Sequence, residues 1–462
     1  MRVHCTDAPK KNFLSLIGLA RSLPFLGLFL FGLMHIVMIL RYVKNVPMMD
    51  EWDEFPPQHI TFHWLFSQHN EHRIVLTKLM TWLLYLLNGW DLHIAAVFNF
   101  SIYILLVISI FNFSKAYLED ISSGLVAFFM LFLFSITNIE NHTTPFQSQF
   151  HFVLLFFVLS VTRLFRSQQR TSDLALGVLF AALSAYSFSS GVIFCGSLIF
   201  SYSAYKIARA RQERQTNARR EVGQLFFVSV VLLAIVISWF LIIPFELNPG
   251  HPALIFPYRA AFWRYFLNLI SWGFGFSSRS LLLGAFCLGL IVTTQVALFY
   301  RQRGSSGSRR AASAAVLALV TGIISAQAVI SLGRAGFGID QAKSSRYAEV
   351  GMILVPCLMF GFWIIFDLNK HVRRRLLGCL AGFFFVGFFP HWGFSGYRSA
   401  SWSRVDGLEC ITKYYRHESV SANCPSLYPE PITTRLENAR QLRLSFYVQA
   451  VSSGDGSQKR KK

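Results

Sequence analysis

The chain has 462 residues, 53% of them hydrophobic, 16% aromatic and only 14% charged, with a net charge of +20. A soluble domain carries about 25% charged residues, so this composition excludes an ordinary soluble globular protein and points to an all-α polytopic membrane protein. The apolar runs are continuous rather than alternating, which argues against a β-barrel. The basic residues between them follow the positive-inside rule, and with no nucleic-acid-binding motif no nucleic-acid partner is expected.

Eleven spans are predicted: 23–40, 92–113, 121–138, 150–164, 174–190, 191–206, 223–244, 280–300, 311–331, 348–368 and 376–391. The first 22 residues are polar and basic, and the run 23–40 is long enough to stay as a span instead of being removed as a signal peptide. The segment 74–90, IVLTKLMTWLLYLLNGW, is apolar but carries Lys78 and is flanked by Arg73 and Asp91.

Charge decides how that segment sits. If it does not cross, the N-terminus and the loops near 115, 163–173, 206–221, 301–310 and 370–375 share one side and hold 22 Lys and Arg, against ten on the other side before the tail. If it crosses, KIARARQERQTNARR and NKHVRRR are translocated, against the positive-inside rule. The segment is therefore expected to be an outer-face interfacial or re-entrant helix in a first outer loop, 41–91. The N-terminus is then cytoplasmic and a small C-terminal segment, 394–462, is exported, leaving 1–393 as the membrane domain. Its end, QKRKK, reads as a disordered terminus. If that segment is exported, Cys410 and Cys424 can pair as a disulfide, a pairing the sequence alone does not decide, while Cys195, Cys287, Cys357 and Cys379 are expected in the core.

Three polar segments fall on this outer face. The first holds DEWDE and HNEHR. Asp50, Glu51 and Asp53 offer a general base for an attacking hydroxyl, or oxygens for Mg²⁺ or Mn²⁺. Asp50 and Asp53 are three apart and would share a face of a helical turn. His59 and His63 have the i, i+4 spacing of two ligands on a helix, but HNEH lacks zincin spacing, and the histidines read better as hydrogen-bonding residues. Glu71 and Arg73 are expected to pair with each other or to bind a substrate group, as is His72. The second segment, NIENHTTPFQSQF, offers Glu140, Asn141 and Gln147, whose side chains suit sugar hydroxyls. The third, GRAGFGIDQAKSSRY, places Arg334, Lys343 and Arg346 where basic residues are usually scarce, which suits a phosphate clamp. No nucleotide-binding fingerprint is present, and no nucleotide or organic cofactor is expected.

This pattern of an acidic motif after the first span, outer polar loops and an exported C-terminal part resembles the GT-C superfamily of integral-membrane glycosyltransferases, and more narrowly a bacterial group of GT-C-like proteins. The resemblance spans most of residues 20–391. It implies an inverting hexosyl- or pentosyltransferase of the bacterial inner (plasma) membrane, with the C-terminus periplasmic or extracellular. The donor would be a polyprenyl-phosphate sugar, and the acceptor a glycan, lipid or protein of the cell envelope. Asp50, or Asp53, would be the catalytic base or would bind a divalent cation, and Arg334 or Arg346 would meet the donor phosphate. Two other readings stay open: a transporter or flippase of lipid-linked sugars, and a polymerase or ligase of surface polysaccharide.

Overall fold

The computed structural model describes residues 10–459 except 119, 212–214, 247–249, 306, 368 and 417–421; the terminal QKRKK lies partly outside them. Among the described residues there is no strand, and the one isolated bridge joins His69 and His72. Among the described residues, ten helices are long and apolar enough to cross a membrane. Many of their large side chains face outward, among them Phe29, Leu40, Phe226, Leu241 and Leu282, as a lipid-facing surface requires. The chain is thus an all-helical protein with the architecture of an integral membrane protein.

The expected count of eleven is not reached by length. The segment expected to span 174–190 is the 15-residue helix Thr171–Ala185, about 22 Å long at 1.5 Å per residue, short of a hydrocarbon core about 30 Å thick. The chain breaks there because Tyr186 and Ser187 turn it into the next helix, Ser189–Ala210. The last expected span continues past a short turn into Ser395–Tyr415. Cys195, Cys287 and Cys357 are buried as expected, but Cys379 is exposed on the helix Lys370–Phe388.

Two opposite faces emerge from the loop contacts. On one, Arg163 and Arg166 meet Asp173, Lys206 meets Glu221 at 2.6 Å, and Arg309 meets Asp367 at 2.9 Å. On the other lie the acidic loop and the C-terminal segment. The helix Val75–Asn88 begins and ends on this second face. Its first amide donates to Tyr186 (2.8 Å), while the carbonyl of Gly89 just after it accepts from Ser445 (2.7 Å). Gly89 stops the helix in the left-handed conformation, φ 67°, which glycine adopts without penalty. Asp91 then caps Leu92–Tyr117 by accepting from His93 and Ile94.

The C-terminal segment packs on the acidic loop. Met49 donates to the carbonyl of Leu427, Asn45 to Ser445 and Gln449, and Trp52 packs edge-on against Phe446. Cys410 and Cys424 form a disulfide. Close backbone approach sets the third polar segment: a Cβ on Gly273 would lie 2.6 Å from the Cα of Gly351, so only glycine lets the helix Ser345–Met352, with Arg346 and Tyr347, seat there.

Candidate functional site

The stretch DEWDE forms a single 3-10 turn, Met49–Trp52, with Asp53 as its cap. Met49, immediately before Asp50, has φ 49°, a conformation uncommon outside glycine that persists only where surrounding contacts enforce it. Three of the four acidic side chains of DEWDE go to three places, while the fourth, Glu54, meets His69 and Lys78. Glu51 is buried: its carboxylate accepts from the amides of Met48 (2.9 Å) and Phe146 (3.4 Å) and lies 3.7 Å from Arg404. Burial pushes its carboxyl up, against the opposing pull of Arg404. Asp53 meets Arg435 at 2.6 Å and accepts from the Tyr428 hydroxyl at 3.0 Å. Asp50 lines a cavity of about 140 Å³, and its carboxylate has no hydrogen-bond or ion-pair partner among the described residues.

That cavity joins all three polar segments. Asp50, His69 and His72 come from the first, Gln147 and Gln149 from the second, and Arg334, Arg346 and Tyr347 from the third. Two of its polar atoms, His69 Nε2 and Gln149 Oε1, are buried without a partner among the described residues. Unsatisfied buried polar atoms are costly, so these mark where a polar ligand or water would bind. A second cavity, about 270 Å³ and mostly apolar, shares His72, Arg334 and Tyr347 with the first and runs along Phe188, Val192, Trp239 and Ile330.

HNEHR folds as a tight turn closed by two backbone hydrogen bonds between His69 and His72 (2.8 and 2.9 Å). Asn70 takes φ 48° at its tip. Glu71 therefore projects to Arg334 (3.1 Å) and lies 3.5 Å from His251. It does not pair with Arg73, whose guanidinium donates instead to the carbonyls of Phe66, Trp239 and Ile243. His72 Nδ1 bonds the Ser189 hydroxyl at 2.7 Å. Burial and then the nearby Arg334 hold its imidazole well below the usual histidine range, so it is neutral at pH 7. His59 precedes the short helix Phe62–Phe66 that contains His63, so the pair shares no helix face. His69 is held by Glu54 at 2.9 Å.

Glu140 pairs with Arg346 at 3.1 Å. Asn141 points inward, donating to Glu349 (2.8 Å) and to the carbonyl of Arg346 (3.1 Å). Lys343 donates to the carbonyls of Phe276 (2.7 Å) and Ser278 (2.5 Å) and lines neither cavity. Burial, helped by Arg279, lowers its pKa to about 8. Of the residues expected in the site, Asp50, His72, Gln147, Arg334 and Arg346 line the polar cavity, and Glu71 and Glu140 hold its two arginines. Asp53, Arg73, Asn141 and Lys343 are engaged elsewhere.

No family model, curated protein or solved structure matches this chain. The site therefore stands on its own geometry. Sequence reasoning passed over Glu349, buried and 2.7 Å from His151, and Arg404, which binds the acidic loop. An acidic residue inside an apolar span was the available signal for Glu349; Arg404, within the C-terminal segment, carried none. Among the described residues no three His, Cys, Asp or Glu side chains converge as a metal site.

Proposed function

We propose that the chain is a membrane glycosyltransferase that moves a sugar from a polyprenyl-phosphate donor to a hydroxyl of a cell-envelope glycan, lipid or protein at the outer face of a bacterial inner membrane. One observation carries the reading: an unpartnered carboxylate, Asp50, shares a polar cavity with Arg334 and Arg346, and that cavity adjoins an apolar one through Arg334 and His72. An amphiphilic phosphodiester fits such a pair, with its lipid in the apolar cavity, its phosphate at the arginines and its sugar toward Asp50.

In this mechanism Asp50 takes the proton of the acceptor hydroxyl as its oxygen attacks the anomeric carbon. The bond from that carbon to the phosphate oxygen breaks from the opposite side, and the configuration inverts. The phosphate leaves with the bonding electrons, and Arg334 and Arg346 stabilise its charge. Gln147 and Gln149 orient hydroxyl groups. Glu71 and Glu140 fix the two arginines. Neutral His72 offers a hydrogen bond without adding charge.

A divalent cation fits this donor set poorly. Among the described residues Asp50 is the single carboxylate lining the polar cavity, and two arginines face it there; a cation would need further oxygen ligands. No step is routed through one. The disulfide Cys410–Cys424 supports export of the C-terminal segment, because such bonds persist in oxidising compartments.

Transport of a lipid-linked sugar has one observation in its favour, the buried Glu349–His151 pair in the membrane region. One assay separates the two. Purified protein is given a polyprenyl-phosphate sugar and an acceptor, with and without EDTA. Transfer that Asp50→Asn abolishes and EDTA spares supports the proposal. Movement of the donor across vesicles without transfer overturns it.

A further inference from the structure

On the face opposite the acidic loop, two cavities meet at Trp363. One, about 260 Å³, is polar and is lined by Tyr117, Asp120, Arg301, Arg309 and Asp367. The other, about 470 Å³, is lined by Leu125, Phe128, Phe129, Leu377 and Gly378, together with Arg373 and Arg374. Asp367 links the two, 2.9 Å from Arg309 and 3.7 Å from Arg373.

The charges are arranged for an anion. Arg373 stacks 3.7 Å over the Trp363 ring, and its Nε is buried without a partner among the described residues. Arg301 lines the polar cavity and has no hydrogen-bond or ion-pair partner among the described residues. The two segments that form this rim, 301–310 and 367–375, hold eight Lys and Arg against the single acid Asp367. A buried guanidinium N–H without an acceptor is costly, and a phosphate supplies several acceptor oxygens at once.

We propose that these joined cavities bind a membrane lipid with an anionic phosphate headgroup. The phosphate lies against Arg301, Arg309 and Arg373. The acyl chains fill the groove between the helices Ser123–Met130, Leu354–Ile365 and Lys370–Phe388. Trp363 sits at the junction, where an indole suits the boundary between headgroup and hydrocarbon, and basic pockets between membrane helices are known to hold such headgroups. An apolar groove of this size beside a cluster of arginines matches both halves of a phospholipid; a free phosphate would use only the first. The site is separate from the Asp50 cavity, so it does not rest on the transferase reading.

The full-length protein is reconstituted in nanodiscs of phosphatidylcholine, with or without phosphatidylglycerol. It is then read by melting temperature and by lipid retained in native mass spectrometry. Phosphatidylglycerol is expected to raise the melting temperature and to be retained. In the double variant Arg301→Gln and Arg309→Gln, retention should fall about 25-fold, since each basic residue near an anionic lipid is worth a factor of about five. Gly378→Phe tests the groove with every charge in place. A Cβ there meets nothing within 4 Å, so the ring enters the cavity without a clash, and retention should fall while melting in phosphatidylcholine alone is unchanged. Retention that survives either substitution overturns the proposal. Protection by inorganic phosphate equal to that by phosphatidylglycerol overturns it too, because the acyl groove would then contribute nothing.

Discussion

Arg435 and Asp53 form an ion pair of 2.6 Å that fastens the C-terminal segment to the acidic loop. Three residues earlier, Asp50 turns the other way, into the cavity that holds Arg334 and Arg346. One short acidic string thus supplies both an anchor and a free carboxylate.

The two residues are therefore expected to behave differently. Removing a general base costs roughly 10²- to 10⁴-fold in rate, so Asp50→Asn should reduce sugar transfer by at least about 100-fold with donor binding retained. Asp53→Asn removes a partly exposed pair, worth about 1 kcal/mol or less, and should leave transfer within a few-fold of wild type. Steady-state kinetics of both variants decide it. Equal losses would mean that the base has been misassigned.

Glu51 and Arg404 make a second link of a different kind, because both side chains are almost wholly buried. Arg404 also donates to the carbonyls of Val46 and Thr143 at 3.1 Å. Breaking one partner of a buried pair leaves an uncompensated charge and costs about 3–5 kcal/mol. Glu51→Ala and Arg404→Ala should each destabilise by that order, and the double variant by less than the sum of the two. Thermal unfolding across the mutant cycle measures the coupling; additive effects would show that the pair does not act as a unit.

These links explain what was legible in the sequence and what was not. Hydropathy was enough to foresee the helical class and a separate short apolar helix, Val75–Asn88, because both follow from local composition. The three polar segments do converge, but composition could not divide their residues between the cavity and its scaffold. Arg73 resembled a substrate ligand until its carbonyl partners were seen, and Lys343 likewise. The grip of Arg404 and Arg435 on the acidic loop spans more than 350 residues, and no periodicity records such a contact. Nor does spacing reveal that the positive φ of Met49 precedes the split between Asp50 and Asp53.

His72 gives the protein an acid-sensitive element outside its spans. Its folded pKa is depressed well below 6.5, chiefly by burial. Below pH 6.5 the unfolded chain takes up a proton that the folded chain does not, so the stability His72 contributes is complete above that value and is lost as pH falls. The slope approaches about 1.4 kcal/mol per pH unit between 6.5 and the depressed value. His72→Gln should flatten this part of the melting profile between pH 6.5 and 5. An unchanged profile would place the titrating group elsewhere.

The disulfide offers the most direct check on orientation. Cys410 and Cys424 are 14 residues apart, and a closed loop of that length is worth about 3 kcal/mol by restricting the unfolded chain. Cys410→Ser with Cys424→Ser, or reduction, should lower the melting temperature and loosen the segment that carries Tyr428 and Arg435 against Asp53. If the segment is exported as proposed, a membrane-impermeant maleimide should label this pair in whole cells only after an impermeant reductant has been added, because the two thiols are joined. Cys195 and Cys357, fully buried, should stay unlabelled in the folded protein. Labelling of the pair without reductant in intact cells would show that the two thiols are not joined, and labelling only after the inner membrane is permeabilised would put the C-terminal segment on the cytoplasmic side. The Asp50 cavity, whose loop it binds, would go with it, and transfer at the outer face would be ruled out.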